Sequence, residues 1–350
     1  MEYKVGSLFA GIGGICLGFK QAGAKVIWAN EYNSKACETY EKNFPEHKMF
    51  CEDINQIKNP RELGEVDIIT SGFPCQAFSI AGYRKGFDDH RGNLFFETAR
   101  FIDEIRPKAY LLENVKNLVG HDKGRTIKVI SDVLTNDLGY SFIPFVLNSK
   151  KFGNIPQTRE RIYIVGFQNE ATGEKTCTNN FKIPEEIPLT NTIRDLINPA
   201  KQDKRYYYSS DHHYYPIMKD AMKSRDTVYQ WRRHYVRENK SNVCPTLTAN
   251  MGTGGHNVPL IVDDYGLRKL TPKECAKFQG FPDSFEFPSE MANSHCYKQA
   301  GNSVVVPVIK RIAGSIIEAL DSKYLSKKKN NEEITPIKMN QLAFQESLFE

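Results

Sequence analysis

The feature that most constrains the fold is an alternation of short β-branched runs with amphipathic stretches in the first half of the chain. This alternation is typical of a parallel sheet wrapped by helices. The sequence therefore predicts a doubly wound α/β fold with strands at residues 4–9, 25–30, 66–71, 109–113, 141–147 and 162–167. The predicted helices between these strands cover residues 15–21, 34–43, 94–105 and 125–138.

The pattern breaks near residue 182, where Pro-, Tyr- and charge-rich sequence without a clear period begins and continues to about residue 259. Helical patterns return at residues 271–278 and 304–320, and the second is apolar enough to pack back on the sheet. A small domain is therefore predicted to be inserted into a larger one. The predicted divisions are 1–185 and 261–321 for the large domain, 186–260 for the small domain, and 322–350 for a flexible tail.

Composition excludes several classes of protein. Hydrophobic residues make up 40% and charged residues 25% of the 350, which is ordinary globular usage and argues against a disordered or fibrous chain. The eight cysteines include no CxxC pair, which fits a reducing cytosol and indicates no structural metal. No apolar run is long enough to span a membrane. The sequence therefore predicts a cytoplasmic protein that uses no metal.

Positive charge is concentrated in the small domain. A net charge of +5 is by itself weak support for a polyanionic partner. Residues 201–240, however, hold ten Lys and Arg against five Asp and Glu, together with seven of the 17 tyrosines and Trp231. Basic residues interleaved with aromatic ones suit contacts to phosphates and bases, so this stretch is predicted to bind nucleic acid.

A glycine-rich turn follows the first predicted strand, in the segment Phe9-Ala10-Gly11-Ile12-Gly13-Gly14. Gly11, Gly13 and Gly14 allow a sharp turn and a close approach of a ligand to the backbone. Cys16 stands where a dinucleotide fingerprint has its third glycine, so a dinucleotide phosphate site is disfavoured.

Three further positions complete a candidate adenosine pocket. Glu31, twenty residues after Gly11, is placed to take both ribose hydroxyls. Asp53 is a candidate acceptor for the adenine amino group, and Ile54 and Tyr32 are candidates to pack on the ring. Taken alone, these positions are equally consistent with ordinary turns between strands and helices.

A cysteine follows the third predicted strand. The segment Gly72-Phe73-Pro74-Cys75-Gln76 places Cys75 at the carboxyl edge of the sheet, where ligand sites of such sheets lie. A lone cysteine is more often part of a core, but a position directly after Pro74 in a loop is poorly suited to one. The loop continues through three glycines with Arg84, Lys85 and Arg91, and is predicted to be a mobile basic lid.

Glu113-Asn114-Val115 ends the next strand and brings a carboxyl group to the same edge, although a glutamate there can also cap the following segment. Arg159 and Arg161 are spaced so that both can point to one face of a strand, and a surface ion-pair cluster is the alternative reading.

These residue types together meet one chemical need. C5 of cytosine is too weak a nucleophile to attack a sulfonium methyl group until a thiolate has added at C6. A carboxylic acid at N3 stabilises the charge that this addition pushes into the ring, and an arginine can hold O2. The target base must also leave the duplex, because C6 is inaccessible in a stacked pair.

The chain resembles the bacterial DNA cytosine-C5 methyltransferases of restriction-modification systems from about residue 3 to residue 320. Several ordered motifs carry the resemblance, namely the cofactor loop 9–14, the nucleophile motif 72–76, the ENV motif 113–115, the QxRxR motif 157–161, the segment Pro245-Thr246-Leu247-Thr248-Ala249, and the late motif Gly301-Asn302-Ser303-Val304. The resemblance implies a Rossmann-like methyltransferase fold, S-adenosylmethionine as methyl donor, S-adenosylhomocysteine as product, and double-stranded DNA as partner.

The resemblance also implies residue roles. Cys75 would be the nucleophile, Glu113 the N3 partner and Arg161 the O2 contact, while Arg159 and Ser79 would support the site or contact phosphate. The implied cofactor-lining residues are Phe9, Gly11, Gly13, Gly14, Glu31, Tyr32, Asp53, Ile54, Pro74, Asn302 and Ser303. One departure is Tyr32, where many members carry tryptophan, and it puts only the packing on adenine in doubt.

The small domain would be the target-recognition domain. Base readout is predicted in this domain and in residues beside it. Arginine and glutamine can bond bidentately in the major groove, and glycines let backbone approach DNA. The predicted DNA-binding residues are Ser79, Arg84, Gln230, Trp231, Arg232, Arg233, Arg237, Thr246, Gly252, Gly254 and Gly255. The bases that are read do not follow from the sequence.

Two other functions share part of this pattern. An RNA cytosine methyltransferase uses the same logic, but the roughly seventy-residue basic insert and Phe-Pro-Cys in place of Pro-Pro-Cys favour DNA. A non-catalytic DNA-binding relative would have no need of Cys75, Glu113 and both arginines.

The last residues hold a candidate docking peptide. Gln345-Glu346-Ser347-Leu348-Phe349 resembles the peptides by which bacterial DNA enzymes bind the replication sliding clamp. The alternative is an amphipathic end that folds back on the enzyme. Apart from the candidate sliding clamp, no protein partner is predicted, and the enzyme is expected to be a monomer.

Overall fold

The fold is described from a computed structural model, which describes residues 2–74, 94–169, 176–239, 241–253 and 257–328. The strands are β1 Lys4–Leu8, β2 Lys25–Glu31, β3 Lys48–Cys51, β4 Ile68–Ser71, β5 Ala109–Val115, β6 Ile143–Asn148, β7 Glu160–Phe167, β8 Tyr229–Arg232, β9 Tyr235–Glu238, β10 Leu260–Asp263 and β11 Gly266–Lys269. The helices are α1 Gly14–Gln21, α2 Ser34–Asn43, α3 Leu94–Ile105, α4 Arg125–Asp132, α5 Ser149–Phe152, α6 Thr176–Asn180, α7 Tyr215–Ala221, α8 Pro272–Lys277, α9 Asn293–Asn302 and α10 Val306–Lys328.

The large sheet has seven strands in the order β3-β2-β1-β4-β5-β7-β6. The first five of these run parallel to their neighbours, which is the arrangement predicted for β1, β2, β4 and β5. β7 runs antiparallel to both β5 and β6, so the predicted parallel arrangement is wrong for this strand. A mixed α/β fold around one twisted sheet is confirmed.

Apolar side chains cover both faces of this sheet, because successive residues of a strand point to opposite sides. On β5, Leu111 belongs to the core cluster that contains residues of α1 and α10. The next residue, Leu112, belongs to the cluster on the opposite face, which contains residues of α3 and α4. Continuous hydrophobic runs in the sequence therefore correspond to strands that are buried on both sides.

Several element predictions need correction. β3 and α9 were not predicted, because neither Lys48–Cys51 nor the polar stretch Asn293–Asn302 has a clear apolar period. The helix predicted at 125–138 is α-helical only to Asp132 and then continues as a π-helical turn. The last helix runs to Lys328, eight residues beyond its predicted end. Residues 329–350, with the candidate clamp peptide, lie outside the described residues.

A second sheet of four strands, in the order β11-β10-β8-β9, begins in the region that appeared irregular in the sequence and extends past it. β8 and β9 lie within that region, whereas β10 and β11 follow residue 259 and were not predicted. The strands of this sheet pair antiparallel, and one face packs with α7 in a small core that includes Met218, Met222 and Tyr229. Val228 and Ile261 belong instead to the core cluster that contains residues of α1 and α10. The small sheet is therefore packed directly on the large unit at its base.

The cysteines of the described residues are in two states. Cys37 on α2 and Cys51 at the end of β3 form a disulfide, with Cα atoms 6.0 Å apart, which differs from the free thiols typical of the reducing cytosol that the sequence predicted. The remaining cysteines of the described residues are buried. Among the described helices, none is long and apolar enough to cross a membrane.

Candidate active site

A cleft of about 920 Å³ lies along the carboxyl edge of the large sheet. This volume is ample for a nucleoside-sized ligand and a second, smaller group. Its walls contain most of the residues that the sequence proposed for the cofactor and for catalysis, namely Phe9, Gly11, Gly14, Glu31, Tyr32, Asp53, Ile54, Pro74, Glu113, Arg159, Arg161, Asn302 and Ser303. The structure therefore brings the two predicted groups of residues into one site.

The glycine-rich loop between β1 and α1 forms one wall of the cleft. Gly13 does not line it, because Gly13 adopts a left-handed conformation with φ of 86° and turns its hydrogen toward Phe44. A Cβ atom at position 13 would lie 2.3 Å from the Phe44 ring. A Cβ atom at Gly14 would lie 2.7 Å from the Ser303 hydroxyl, so the late motif packs directly against this loop.

Glu31 lies at the end of β2 with its carboxylate held by backbone donors. The amide of Gly11 donates to one oxygen at 3.0 Å, and the amide of Asn33 donates to the other at 2.9 Å. Burial raises the pKa of Glu31, and these backbone hydrogen bonds oppose part of that rise. No cation neutralises the carboxylate among the described residues, so it keeps lone pairs and negative charge for a ligand in the cleft.

The neighbouring residues form the rest of the same pocket. One oxygen of Asp53 accepts hydrogen bonds from the amide and the side chain of Asn55, which leaves its other oxygen available. Ile54 is buried, whereas Tyr32 is 72% exposed. An aromatic ring left so exposed beside a buried aliphatic side chain is suited to pack on a planar ligand.

Glu113 and Arg161 form an ion pair at the centre of the edge, with 3.1 Å between Arg161 Nε and Glu113 Oε1. The pair exists because β7 runs antiparallel to β5, which places Val115 opposite Arg161 and Glu113 opposite Tyr163. Arg161, near the start of β7, therefore lies close to Glu113, near the end of β5. Both side chains are largely buried, with Arg161 15% and Glu113 11% exposed.

Residues 72–74, which lead from β4 toward the predicted nucleophile, lie near this pair. The side chain of Asn114 donates to the carbonyl of Phe73 at 2.8 Å, which ties the end of β5 to the segment that leads into the candidate nucleophile. Pro74 lines the cleft. Cys75, Ser79 and Arg84 lie outside the described residues, so their predicted roles stay predictions.

Arg159 holds together chain segments that line the cleft. Its guanidinium donates to the carbonyls of Leu247, Gly301 and Ser303, and its Nε has no partner among the described residues. Burial, and then the charge of Arg161, lowers the pKa of Arg159 to about 9. At 3% exposed, Arg159 is poorly placed to reach a phosphate, which favours the supporting role over the phosphate contact.

Gln157 supports the same junction. Its side-chain oxygen accepts from the amide of Leu247 at 2.9 Å, and its nitrogen donates to the carbonyl of Phe278 at 2.6 Å. The QxRxR motif therefore joins three distant parts of the chain and holds the Pro245–Ala249 segment against the cleft. This bracing was not foreseen from the sequence.

The predicted DNA-contacting residues divide into two groups. Gln230, Trp231, Arg232, Arg233 and Arg237 all lie on or next to the β8–β9 hairpin of the small sheet.

The other group lies closer to the large domain. The hydroxyl of Thr246 donates to the carbonyl of Thr158 at 2.7 Å. Gly252 packs on α9, where a Cβ atom would lie 2.4 Å from the carbonyl of Ser294. Gly254 and Gly255 lie outside the described residues. Gly252 is thus needed for close packing within the protein, and its DNA contact stays a prediction.

Sequence reasoning missed several cleft residues, among them His295, Lys298 and Gln299. These three lie on α9, which the sequence did not reveal. Within the described ranges, no group of three or more His, Cys, Asp or Glu side chains is arranged to hold a metal ion.

With this geometry in hand, comparison with known proteins identifies the class. The chain matches the C-5 cytosine-specific DNA methylase family over residues 3–318. It therefore belongs to that family and is a DNA cytosine-5 methyltransferase of restriction-modification type, as the motifs predicted.

Particular relatives are similar over nearly their whole length. The chain is 56% identical over 321 residues to Type II methyltransferase M.Bsp6I of Bacillus sp. (strain RFL6), covering 91% of this chain and 99% of that protein. It is 39% identical over 334 residues to Type II methyltransferase M.HpaII of Haemophilus parainfluenzae, covering 91% and 90%. It is 37% identical to Type II methyltransferase M.HhaI of Haemophilus parahaemolyticus, covering 90% and 94%.

Solved structures agree on the fold. A mutant of Spodoptera frugiperda DNMT2 superposes with a TM-score of 0.68 at 21% identity, covering 90% of this chain and 100% of that one. Dnmt2 methyltransferase of S. pombe gives a TM-score of 0.65 at 22% identity, covering 94% and 100%. These likenesses confirm the predicted methyltransferase fold.

Proposed function

We propose that this enzyme transfers a methyl group from S-adenosylmethionine to C5 of a flipped-out cytosine within a short specific sequence of double-stranded DNA. Cys75 is the covalent nucleophile in this proposal. The observation that carries it is the buried pair of Glu113 and Arg161, which lies in the same cleft as Glu31 and beside Pro74.

The adenosine end of the cleft fits the proposed methyl donor. Glu31 has a buried, uncompensated carboxylate that can accept from both ribose hydroxyls, and Asp53 has a free oxygen for the adenine amino group. Tyr32 and Ile54 can pack on the ring, and Asn302 and Ser303 also line the cleft. When bound, the cofactor supplies an electrophilic methyl group on a sulfonium sulfur and leaves as S-adenosylhomocysteine.

The protein's own residues make cytosine reactive. The Cys75 thiolate forms a bond to C6 of the base, and the displaced electron pair moves into the ring. A proton held between Glu113 and N3 and a hydrogen bond from Arg161 to O2 stabilise that charge. C5 then accepts the methyl group, after which loss of the C5 proton and release of the thiolate restore the aromatic ring.

The burial of Glu113 and Arg161 supports base flipping. Both side chains are less than a sixth exposed, so a base within a stacked duplex would not reach them. The small sheet, with basic and aromatic residues on an open surface, is suited to hold the flanking DNA. We infer that it is the core of a target-recognition domain, and that the enzyme acts as a cytoplasmic, DNA-associated monomer.

Transfer of tritium from labelled S-adenosylmethionine tests the proposal on duplex DNA, with tRNA as the competing substrate. Wild-type enzyme should label duplex DNA, and Cys75→Ala should reduce labelling by several orders of magnitude while cofactor binding survives. Glu113→Gln should keep the fold and lose most of the turnover. Labelling of tRNA alone would contradict the DNA substrate.

A duplex that carries 5-fluorocytosine tests the covalent step. Fluorine cannot leave C5 as a proton does, so wild-type enzyme should become trapped on the DNA through Cys75. The matched control is Cys75→Ser, which keeps the size of the side chain. A covalent complex that still forms with Cys75→Ala would show that another residue is the nucleophile.

A further inference from the structure

The β8–β9 hairpin presents an ordered polar face to solvent. Because side chains alternate along a strand, Trp231 and Tyr229 on β8 and Val236 on β9 face the small core. The opposite face carries Gln230 and Arg232 on β8 and the residues paired with them on β9. Gln230 is directly opposite Arg237, and Arg232 is directly opposite Tyr235.

Gln230 holds both arginines of that face. Its side-chain oxygen accepts a hydrogen bond from Arg232 Nη2 at 2.9 Å and another from Arg237 Nη2 at 2.5 Å. An amide oxygen has two lone pairs, so both are occupied. To read adenine, glutamine needs its oxygen as well as its nitrogen. Because the Gln230 oxygen already accepts two hydrogen bonds, this arrangement conflicts with the bidentate base contact predicted for Gln230.

The two arginines keep their recognition capacity. A guanidinium carries five N–H donors, and each of these two uses one on Gln230. Four donors remain on each side chain, which is enough for a bidentate contact to O6 and N7 of guanine. Holding a guanidinium in one orientation before binding also reduces the conformational entropy that is lost on contact with DNA.

Charge compensation separates these two arginines from others in the same region. Arg194, Arg205 and Arg225 each pair with an aspartate. Within the part of the chain that the structure describes, neither Arg232 nor Arg237 forms an ion pair, and their one shared partner is the neutral Gln230. Their positive charge is therefore available for DNA.

Arg233 differs although it is adjacent in sequence. It occupies the turn between β8 and β9 in a left-handed conformation with φ of 47°. It therefore lies outside the strand register that aligns Gln230 with its two arginines. Among the described residues Arg233 has no side-chain partner that orients it, and a cation on such a turn is suited to contact phosphate.

We propose that Gln230 is a positioning residue that aims Arg232 and Arg237 at two guanines of the target site, while Arg233 contributes sequence-independent attraction. This inference rests on the proposed function, because it requires a duplex substrate. Of the five hairpin residues predicted to bind DNA, it assigns base readout to Arg232 and Arg237. Gln230 then has a positioning role, and Arg233 contacts phosphate.

The test measures kcat/KM on the preferred duplex and on duplexes that carry single base-pair changes, after the preferred site has been found by sequencing methylated cytosines in a randomised pool. Gln230→Met keeps the length of the side chain and removes the acceptor. It should lower discrimination at two guanine positions by about 5- to 150-fold, the range of bidentate base contacts. Gln230→Glu keeps an acceptor and should retain discrimination.

Matched arginine variants complete the test. Arg232→Ala and Arg237→Ala should each relax one guanine position, whereas Arg233→Ala, with the same loss of charge, should weaken activity on all duplexes equally. An unchanged preference in Gln230→Met that folds normally by circular dichroism, or equal relaxation in Arg233→Ala, would overturn the inference. If wild-type enzyme methylates no duplex, the proposed function itself fails, which is a separate result.

Discussion

Two buried charges of the cleft are held differently from those at the junction of the small sheet. Glu31 and Arg159 are held mainly by backbone groups, and within the described residues neither forms an ion pair. At the junction of the small sheet, Arg268 is fully buried between the carboxylates of Asp263 and Glu274. The first arrangement leaves charge that a ligand can use. In the second, which we call the closed network, Arg268, Asp263 and Glu274 neutralise one another.

The pKa values follow this difference. Burial raises the pKa of Glu31 and lowers that of Arg159, so both shifts disfavour the charged form. Burial also acts to lower the pKa of Arg268, but Glu274 and then Asp263 outweigh it and raise the pKa. The cleft therefore carries an electrostatic cost in the absence of ligands, whereas the junction is stabilised by its own ions.

The largest effect is expected from Arg268→Met, which removes the cation of the closed network. Asp263 and Glu274 would then be buried without a counter-ion, and the free energy of unfolding should fall by about 3–5 kcal/mol. Glu274 also accepts from the amide of Asn198, so this loss should loosen the junction. Urea denaturation measures it, with Trp231 fluorescence reporting on the small sheet and Trp28 on the large one. A loss below about 1 kcal/mol would contradict the prediction.

The next effect is expected at Glu31, where the open charge serves a ligand. Glu31→Gln should weaken binding of S-adenosylhomocysteine by about tenfold or more, because hydrogen bonds to an ionised acceptor are worth about 1.5–3 kcal/mol. Titration calorimetry measures this, with the wild type as the reference. Equal affinity in the two proteins would remove Glu31 from the cofactor site.

The same residue predicts a pH dependence. Since burial raises the pKa of Glu31 above the ordinary value of 4.5, protonation begins at a higher pH than for an exposed carboxyl group. Wild-type affinity should therefore fall as the pH drops through this raised pKa, while the affinity of Glu31→Gln should not change there. A parallel decline in both proteins would assign the effect to another group.

Arg159→Met should destabilise the protein less than Arg268→Met, by about 1–2 kcal/mol, because its acceptors are neutral carbonyls and the change also removes a buried charge. The control is Arg311→Met, which removes one bond to the carbonyl of Phe152.

Arg159 also predicts an alkaline effect. Because the pKa of Arg159 in the folded protein, about 9, is well below the ordinary value for arginine, the unfolded chain binds more protons than the folded protein at pH values between the two, so folding stability rises with pH through this group. The stability difference between wild type and Arg159→Met should therefore grow as the pH is raised through the folded-state pKa of about 9. A constant difference would mean that Arg159 stays fully charged.

The smallest effect is expected at the edge of the closed network. The hydroxyl of Tyr207 donates to Asp263 at 2.9 Å. Tyr207→Phe should cost about 1 kcal/mol, because Arg268 continues to neutralise Asp263. Thermal unfolding measures the change, and a cost as large as that of Arg268→Met would show that the hydroxyl is as important as the counter-ion.

Periodicity predicted most of the large sheet and the edge at which the site lies. Glu31 and Glu113 could be assigned to that edge because each ends a buried strand, and the ends of parallel strands meet at one edge. The direction of β7 could not be read, since the same alternation suits both orientations. Without that direction, the contact between Arg161 and Glu113 could not be predicted from the sequence.

The remaining misses have physical causes as well. α9 is mostly polar and is stabilised by packing under the Ala249–Gly252 turn, so its own sequence carries little signal. The bracing role of Arg159 depends on carbonyls almost ninety and more than a hundred and forty positions away. The two arginines on β8 and β9 could be proposed as DNA contacts from composition, but the position of Gln230 between them required the register.

The state of the cysteines has a practical consequence for chemical labelling. Every cysteine that the structure describes is either in the Cys37–Cys51 disulfide or buried. An alkylating reagent applied to the folded enzyme without a reductant should therefore meet little competition from these positions. Mass spectrometry of the labelled wild-type chain would report the reactivity of Cys75 directly, and titrating the cofactor or a duplex during labelling would make that thiol a probe of occupancy without engineered substitutions.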